Sequence, residues 1–395
     1  MNGADTVWIL VATALVLFMT LPGLALFYGG LVRSRNVLSV FMQCFSIACL
    51  MSVLWLSFGY SIAFGDSGNG YWGGISHIFL IGIDSSTIRD GTNIPEVLFF
   101  AFQMTFAIIT PALIVGAYVE RVGYGFVMTF SGLWMLLCYA PVVHWVWGGG
   151  FLADGGLFGE IGLRDFAGGV VVHETAGLAA LVIAVLLGAR RNTTTPPHNP
   201  GFVMLGAAML WVGWFGFNGG SQLAADGNAA MALTVTHISA ASASLTWAFW
   251  ERVKYGKVSL VGMVTGTIAG LASITPASGF VGPIDALIIG SIAGVLCQEA
   301  VTLVRNIFKI DDTLDVFAVH GVGGIFGTIM IAVIGAGSWA AQMGSLVIVG
   351  FFTVLMTFSL VKLVALLTPL RVSEEEEYTG LDLSAHGERA YDHSS

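Results

Sequence analysis

Charged residues are scarce in this chain. Lysine, arginine, aspartate and glutamate make up only 10% of its 395 residues, whereas 56% of the residues are hydrophobic. The mean hydropathy is +0.85. A soluble domain normally carries about a quarter of charged residues, because its surface faces water. The composition therefore excludes a soluble domain of this length and predicts a protein that is embedded in a membrane.

Cysteine is also rare, and its four residues all fall in apolar stretches: Cys44, Cys49, Cys138 and Cys297. Cysteines so placed are typical of helix packing and argue against a disulfide framework or a metal site. The sequence also lacks recognisable motifs for nucleotide binding, metal binding or catalysis. We therefore expect no enzyme activity, no metal, no cofactor and no nucleic-acid partner. The first ten residues hold no basic residue, so we expect no cleavable signal peptide.

Long apolar stretches are what the chain has in abundance. A helix of about 20 apolar residues spans a bilayer core that is about 30 Å thick. Eleven such stretches predict an all-α polytopic membrane protein with eleven transmembrane helices. They lie at residues 7–32, 37–63, 94–118, 123–147, 166–188, 200–221, 229–250, 258–275, 284–304, 314–335 and 342–369.

The basic residues predict the orientation of these helices. With the N-terminus outside, only Arg89 and Arg164 lie on the outer side. Because short basic loops stay in the cytoplasm, we expect an outer N-terminus, a cytoplasmic C-terminus and a location in the cytoplasmic (inner) membrane. Twelve basic residues then lie on the cytoplasmic side: Arg33, Arg35, Arg121, Arg190, Arg191, Arg252, Lys254, Lys257, Arg305, Lys309, Arg371 and Arg389.

Two histidines are the most informative residues of the apolar stretches. His173 and His320 each follow an acidic residue, Asp165 or Asp312, by eight positions in a Gly-rich apolar stretch. If each helix begins at its acidic residue, each imidazole lies about 12 Å deep, near the middle of the bilayer. Ionisable residues are costly there and usually serve a function together with a partner across the bundle. Packing histidines are the alternative interpretation.

A weak internal repeat relates the two halves of the chain. The sequence Phe-Tyr-Gly-Gly at 27–30 ends predicted helix 1, and Phe-Asn-Gly-Gly at 217–220 ends predicted helix 6. The two histidines fall in predicted helices 5 and 10, which run in opposite directions. We therefore predict a 5+5 inverted repeat with a peripheral eleventh helix, and a substrate path between the two halves.

These motifs carry a family resemblance. The segments 22–31, 165–173, 214–221 and 315–320 resemble, in order and spacing, those of the Amt/Mep/Rh superfamily of ammonium transporters, and of the Amt branch in particular. The resemblance covers the whole chain. It implies a homotrimer with one narrow pore per subunit, in which His173 and His320 are joined through ring nitrogens at the pore centre.

The resemblance also implies an outer ammonium site. The matching residues are Phe102, Phe106, Trp147 and Ser221, where ring faces attract the cation by cation–π interaction and the serine accepts one of its hydrogens. Below this site, Phe106 and Phe217 match the stacked rings that close the pore. The implied function is that the protein recruits ammonium, deprotonates it and conducts ammonia, with or without a relayed proton, past the histidines into the cytoplasm. We expect net ammonium transport.

Three acidic residues beside these motifs have structural interpretations. Asp165 is most simply an N-cap of predicted helix 5, and Asp315 has the same preference for a helix N-terminus, so we expect both to be structural supports. Glu174 follows the first histidine directly, and one residue turns about 100° on a helix. We therefore expect Glu174 to lie off the pore face, at a subunit interface or against a neighbouring helix.

The last 25 residues differ from the rest of the chain. Residues 1–370 form the predicted membrane domain, whereas residues 371–395 are acidic and polar. They resemble the regulatory tail of the family, which docks P-II type signalling proteins in many bacterial members; a disordered solubilising end is the alternative. Two alternative functions also remain open. One is an ammonium-sensing domain with little transport, and the other is a neutral gas channel of the Rh type.

Overall fold

The structure is a computed structural model that describes residues 1–193 and 196–391. Its regular elements are helical throughout this part of the chain, and the backbone pairing outside them is one isolated bridge between Ile88 and Pro95. The helices are α1 Gly3–Leu31, α2 Ser34–Phe64, α3 Glu96–Tyr118, α4 Tyr124–Trp147, α5 Gly169–Leu187, α6 Pro200–Gly220, α7 Gly227–Tyr255, α8 Leu260–Ile274, α9 Pro283–Ile307, α10 Phe317–Val333, α11 Trp339–Val364, α12 Glu374–Thr379 and α13 Leu381–His386.

The prediction of an all-α membrane protein is confirmed. Among the residues described, eight helices are long and apolar enough to cross a membrane, namely α1 to α6, α9 and α11. The two apolar helices α8 and α10 are shorter. Helix α7 is continuous over 29 residues, but small polar side chains interrupt its apolar sequence. Every predicted stretch thus contains a helix, and the crossing of the membrane by all eleven stays a prediction.

The predicted starts of helices α5 and α10 are wrong by several residues. Helix α5 begins at Gly169 and not at Asp165, and α10 begins at Phe317 and not at Asp312. Each carboxylate instead caps its helix from several residues upstream: Asp165 accepts the backbone N–H of Val170, and Asp312 accepts that of Phe317. Irregular backbone at membrane depth is tolerated where protein buries it.

Both histidines lie in π-helical turns. Gly169–Glu174 contains His173, and Phe317–Gly321 contains His320. A π turn widens the helix by one residue and re-aims the side chains within it, and such turns are frequent at functional sites. The two turns therefore set the direction in which the imidazoles point.

Glycines allow α5 and α10 to cross at the histidines. A Cβ added to Gly177 would lie 2.3 Å from the Cα of Gly321, and one added to Gly324 would lie 2.7 Å from the Cβ of His173. Small residues are the usual means of close backbone approach in membrane bundles. Glycine at these positions thus brings the two histidine-bearing backbones together.

The segment after α11 folds against the predicted cytoplasmic loops. The carboxylate of Asp382 accepts the backbone N–H of Ser39 at 2.7 Å, and Asn36 accepts the N–H of Leu381 at 2.8 Å. Glu377 is 2% exposed and accepts from Arg371 at 2.7 Å. The acidic run therefore lies in helix α12, and helices α12 and α13 pack against these loops and end at His386.

Candidate functional site

The two histidines meet in the interior of the helix bundle. The Nδ1 atoms of His173 and His320 lie 3.2 Å apart, and the two rings are inclined by 23°. The side chains are almost fully buried, with 1% and 4% exposure. One Nδ1 must carry the shared hydrogen and the other must accept it, so the two neutral rings hold each other in opposite tautomers. One Nε2 is then an acceptor and the other a donor.

Aromatic rings hold one face of the pair. The His173 ring stacks on Trp214 with a centroid distance of 5.5 Å, and Trp214 donates its indole N–H to Thr275 at 2.8 Å. Phe217 lies next, 6.1 Å from the histidine ring. Helix α6 thus supplies the rings that fix the plane of His173.

Two stacked phenylalanines separate the histidines from the end of the molecule that the distribution of basic residues predicts to be the outer one. The rings of Phe106 and Phe217 lie 4.2 Å apart at an interplanar angle of 27°, and each is 1% exposed. Phe102 packs edge-on against Phe106 at 5.1 Å and is itself fully buried. A Cβ on Gly220 would lie 2.9 Å from the Phe102 ring. Phe102 therefore supports the pair from behind.

A cavity of about 310 Å³ lies beyond the phenylalanines, at the ends of α4 and α6, and we name it the outer cavity. Phe106, Trp147 and Ser221 line it. The Trp147 indole donates to the backbone oxygen of Asp165 at 2.8 Å, and its ring meets Phe106 at 89°. The Ser221 hydroxyl donates to the carbonyl of Phe217 at 2.8 Å, which leaves its oxygen able to accept from a ligand.

Asp165 binds the start of α5. Its two carboxylate oxygens accept the backbone N–H groups of the four residues Gly168, Gly169, Val170 and Val171 at 2.7–3.0 Å. Burial raises the pKa of this carboxyl, while the backbone N–H groups act in the opposite direction. The carboxylate of Asp165 thus bonds the backbone at the start of α5, as expected of a structural support.

A second cavity of about 410 Å³, the inner cavity, lies at the opposite end and is lined by His320, Tyr28, Arg305 and Asp315. Asp315 pairs with Arg305 at 2.6 Å, and its backbone φ is +58°. Asp315 thus lies directly before α10, where a structural acidic residue was expected, and its carboxylate is used in this ion pair. The backbone N–H of Phe317 at the helix start is bonded at 2.7 Å by Asp312 instead.

Glu174 packs against helix α11. It is 2% exposed, and a Cβ on Gly350 of α11 would lie 3.1 Å from its Oε1. Among the described residues its Oε2 has no hydrogen-bond partner. The contact agrees with the expectation that this side chain packs against a neighbouring helix.

Three polar residues of the outer cavity or its wall were not singled out from the sequence. Gln103 lines the cavity, is 8% exposed, and its Oε1 lacks a partner in the described structure. Arg89 also lines the cavity and pairs with Glu96 behind it. Gln103 directly follows the predicted residue Phe102, and a polar side chain inside an apolar helix was the available signal.

The fold and the site together define a class of protein. It is a multi-pass helical membrane protein in which two cavities, at opposite ends, approach each other through stacked phenylalanines and a buried histidine pair. Two cavities that approach each other from opposite ends of a helix bundle are typical of a membrane transporter or channel, and the packed rings between them are suited only to a small substrate.

Comparisons with known proteins specify the class further. The sequence profile of the Ammonium Transporter Family matches residues 7–391. An "Ammonium transporter" of Bacillus subtilis (strain 168) is 43% identical over 411 aligned residues, which cover 100% of both chains. The solved structure "Sensor Amt Protein" has a TM-score of 0.89 and 28% identity over 97% of this chain and 98% of that one. Mep2 of Saccharomyces cerevisiae has a TM-score of 0.85 and 33% identity, covering 95% of this chain and 88% of its own.

The chain belongs to the ammonium transporter family. The family resemblance stated from the motifs is thereby confirmed, and the relatives are transporters rather than enzymes. Ammonium transport across a membrane is the activity that these findings support.

Proposed function

We propose that the protein recruits ammonium in the outer cavity, removes its proton, and conducts ammonia past the histidine pair to the inner cavity, with the proton relayed separately. The observation that carries the proposal is the contact between His173 and His320 at 3.2 Å, buried between the two cavities. A neutral donor–acceptor pair at this position offers hydrogen bonds to ammonia without a fixed charge.

Recruitment depends on the aromatic wall of the outer cavity. The Trp147 ring is fixed by its bond to Asp165 and by its contact with Phe106. A ring face attracts ammonium by about 0.5–2 kcal/mol, depending on desolvation. The Ser221 oxygen accepts one ammonium hydrogen, which a bare metal ion lacks. The site therefore favours ammonium over sodium or potassium.

The Phe106–Phe217 stack then excludes hydrated ions. Its rings are fully packed, so an ion would have to shed its water before it passes. Loss of a proton at this point removes the charge and with it the large cost of desolvation. Ammonia continues past the imidazoles, and the proton moves through the pair of ring nitrogens, so that net transport is electrogenic.

The assembly follows the family pattern in this proposal. Eleven helices cross the inner membrane in a 5+5 inverted repeat plus α11, with the N-terminus outside and three copies in a homotrimer. The segment 371–395 regulates transport, and the packing of its described part, 371–391, against the loops near Asn36 and Arg191 supports this role. A P-II type signalling protein is the partner proposed at that face.

The experiment that tests the proposal uses purified protein in liposomes on a solid-supported membrane. A pulse of ammonium chloride should produce a current, whereas equal pulses of sodium or potassium chloride should produce none. The His237→Ala variant is a matched control, because His237 is an exposed histidine of α7 that packs against Trp211. It should keep the wild-type current.

An ammonium-sensing protein is the second candidate, and the similarity to the structure titled "Sensor Amt Protein" favours it. It would give saturable ammonium binding without current. A neutral gas channel would raise the pH inside the liposomes, as reported by a trapped pH-sensitive dye, without current. Either result overturns the proposal of electrogenic transport and identifies its replacement.

A further inference from the structure

A cationic side chain already lies on aromatic rings in the wall of the outer cavity. The guanidinium carbon of Arg89 lies 4.6 Å from the ring centroid of Phe99 and 5.3 Å from that of Phe64. All three residues line the same cavity as Trp147 and Ser221. Arg89 therefore makes, in the wall of the same cavity, the kind of cation–π contact that we propose for ammonium.

A buried carboxylate holds Arg89 in place. Glu96, in the first turn of α3, pairs with the Arg89 Nη1 at 3.2 Å and also accepts the hydroxyl hydrogen of Tyr60. The segment between them is a closed turn, in which the Arg89 backbone N–H donates to the carbonyl of Ile94 at 3.1 Å. The position of the cation is thus fixed by both its backbone and its side chain.

The two ends of this ion pair face different surroundings. The Arg89 side chain is 22% exposed, whereas that of Glu96 is 8% exposed. The positive end therefore faces the cavity and the negative end faces the protein. A cation that enters the cavity meets the positive end first, and the exposed Asp90 is the anionic side chain among the cavity-lining residues.

We propose that Arg89 is an affinity-determining residue of the outer cavity: a tethered cation, oriented by Glu96, that weakens the binding of ammonium and so sets its half-saturation concentration. The inference rests on the function proposed above. Arg89 does not bind ammonium itself; it acts through the field in the cavity. Charges near a cleft change the local concentration of an ionic substrate in this way.

Single substitutions of Arg89 and Glu96 distinguish an electrostatic effect on ammonium binding from structural damage, because the two changes should shift the half-saturation concentration in opposite directions. Arg89→Gln leaves the charge of Glu96 uncompensated, and should lower the half-saturation concentration of the ammonium current about two- to fivefold. Glu96→Gln leaves the positive charge alone and should raise it by a similar factor. The double variant should return close to the wild-type value. Structural damage would shift both single variants in the same direction.

The measurement is the ammonium current in liposomes at about 10 mM and about 300 mM background salt, because salt screens exposed charges beyond the Debye length. The shifts should shrink at high salt. Arg89→Lys should behave as wild type because it keeps the charge. Arg164→Gln is the matched control, since Arg164 is the other basic residue of the outer side and pairs with Asp154 outside the cavity lining.

Two results would overturn the inference. One is an Arg89→Gln half-saturation equal to that of Arg164→Gln, and the other is a shift of both single variants in the same direction. If the wild type gives no current, the proposed function fails, and the same variants are measured by ammonium titration of the intrinsic tryptophan fluorescence. Opposite shifts in that binding midpoint would still support the role of Arg89, and equal midpoints would refute it.

Discussion

Replacement of Trp147 by leucine removes the ring face that we assign to ammonium recruitment. The ring lies half-buried in the wall of the outer cavity and is fixed by its indole N–H bond to the Asp165 carbonyl at 2.8 Å. A cation–π contact in a partly solvated position contributes about 1 kcal/mol. Because 1.4 kcal/mol corresponds to a factor of ten, the half-saturation concentration should rise about fivefold.

The same change should affect folding little. The leucine variant loses one hydrogen bond, worth about 0.5–1.5 kcal/mol, and keeps part of the apolar contact with Phe106. Its thermal midpoint in detergent should therefore fall by only a few degrees. The assay is the ammonium current in liposomes over a concentration series, with the thermal midpoint measured on the same preparation.

Trp8→Leu is the matched control for this prediction. Trp8 also donates its indole N–H to a backbone carbonyl, that of Gly219, at 3.0 Å, but it does not line the outer cavity. It should leave the half-saturation concentration unchanged. Trp147 is not part of the ammonium site if Trp147→Leu leaves the concentration dependence unchanged, or if both variants shift it equally.

Three further predictions follow from named contacts. Ser221→Ala should raise the half-saturation concentration less than Trp147→Leu does, about two- to threefold, because one hydrogen bond near the low end of about 0.5–1.5 kcal/mol is lost; an unchanged titration would contradict it. Gly324→Ala should reduce the current and destabilise the fold by about 1–3 kcal/mol, since its Cβ would lie 2.7 Å from the His173 Cβ; Gly3→Ala, with open space around it, is the control for the thermal midpoint. Burial raises the pKa of Asp312 to about 7, above its value of about 3.9 in the unfolded chain. The protonated form therefore favours folding: this contribution to the free energy of unfolding is complete below pH 4 and is lost as the pH rises towards 7. Asp312→Asn should therefore lose less thermal stability than wild type between pH 5 and pH 7.5, and parallel losses would contradict the assignment.

The helical architecture was predictable because its signal is distributed over hundreds of residues. Charge-free stretches of sufficient length predict membrane helices whatever their tertiary contacts are. The histidine pair was predictable as well, since an imidazole inside an apolar helix is costly unless it has a partner. The structure adds the 3.2 Å contact, which no spacing in the chain specifies.

The local backbone at the site was not predictable. The π turns that hold His173 and His320 differ from α-helix by one residue per turn, and sequence periodicity does not detect that difference. The separate contacts of Asp312 and Asp315 were not predictable either. Both are acidic residues before the same helix, and only the fold shows that Asp315 pairs with Arg305 of α9 whereas Asp312 accepts the backbone N–H of Phe317.

The contacts of Arg89 could not be predicted from the sequence for another reason. Its partners Phe64, Phe99 and Glu96 belong to α2 and α3 and meet the arginine only in the folded chain. The sequence showed that basic residues are rare on the outer side, but it did not show which of them enters the cavity.

The ammonium current of His173→Ala, His320→Ala and the double variant, beside wild type and the His237→Ala control, shows whether the two histidines act as one hydrogen-bonded unit. We expect either single removal to abolish the current, because it leaves an unpaired nitrogen in the buried path, and the second removal to add nothing. Wild-type-like current and ammonium selectivity in both single variants, with effects that simply add, would mean that the two residues are packing histidines.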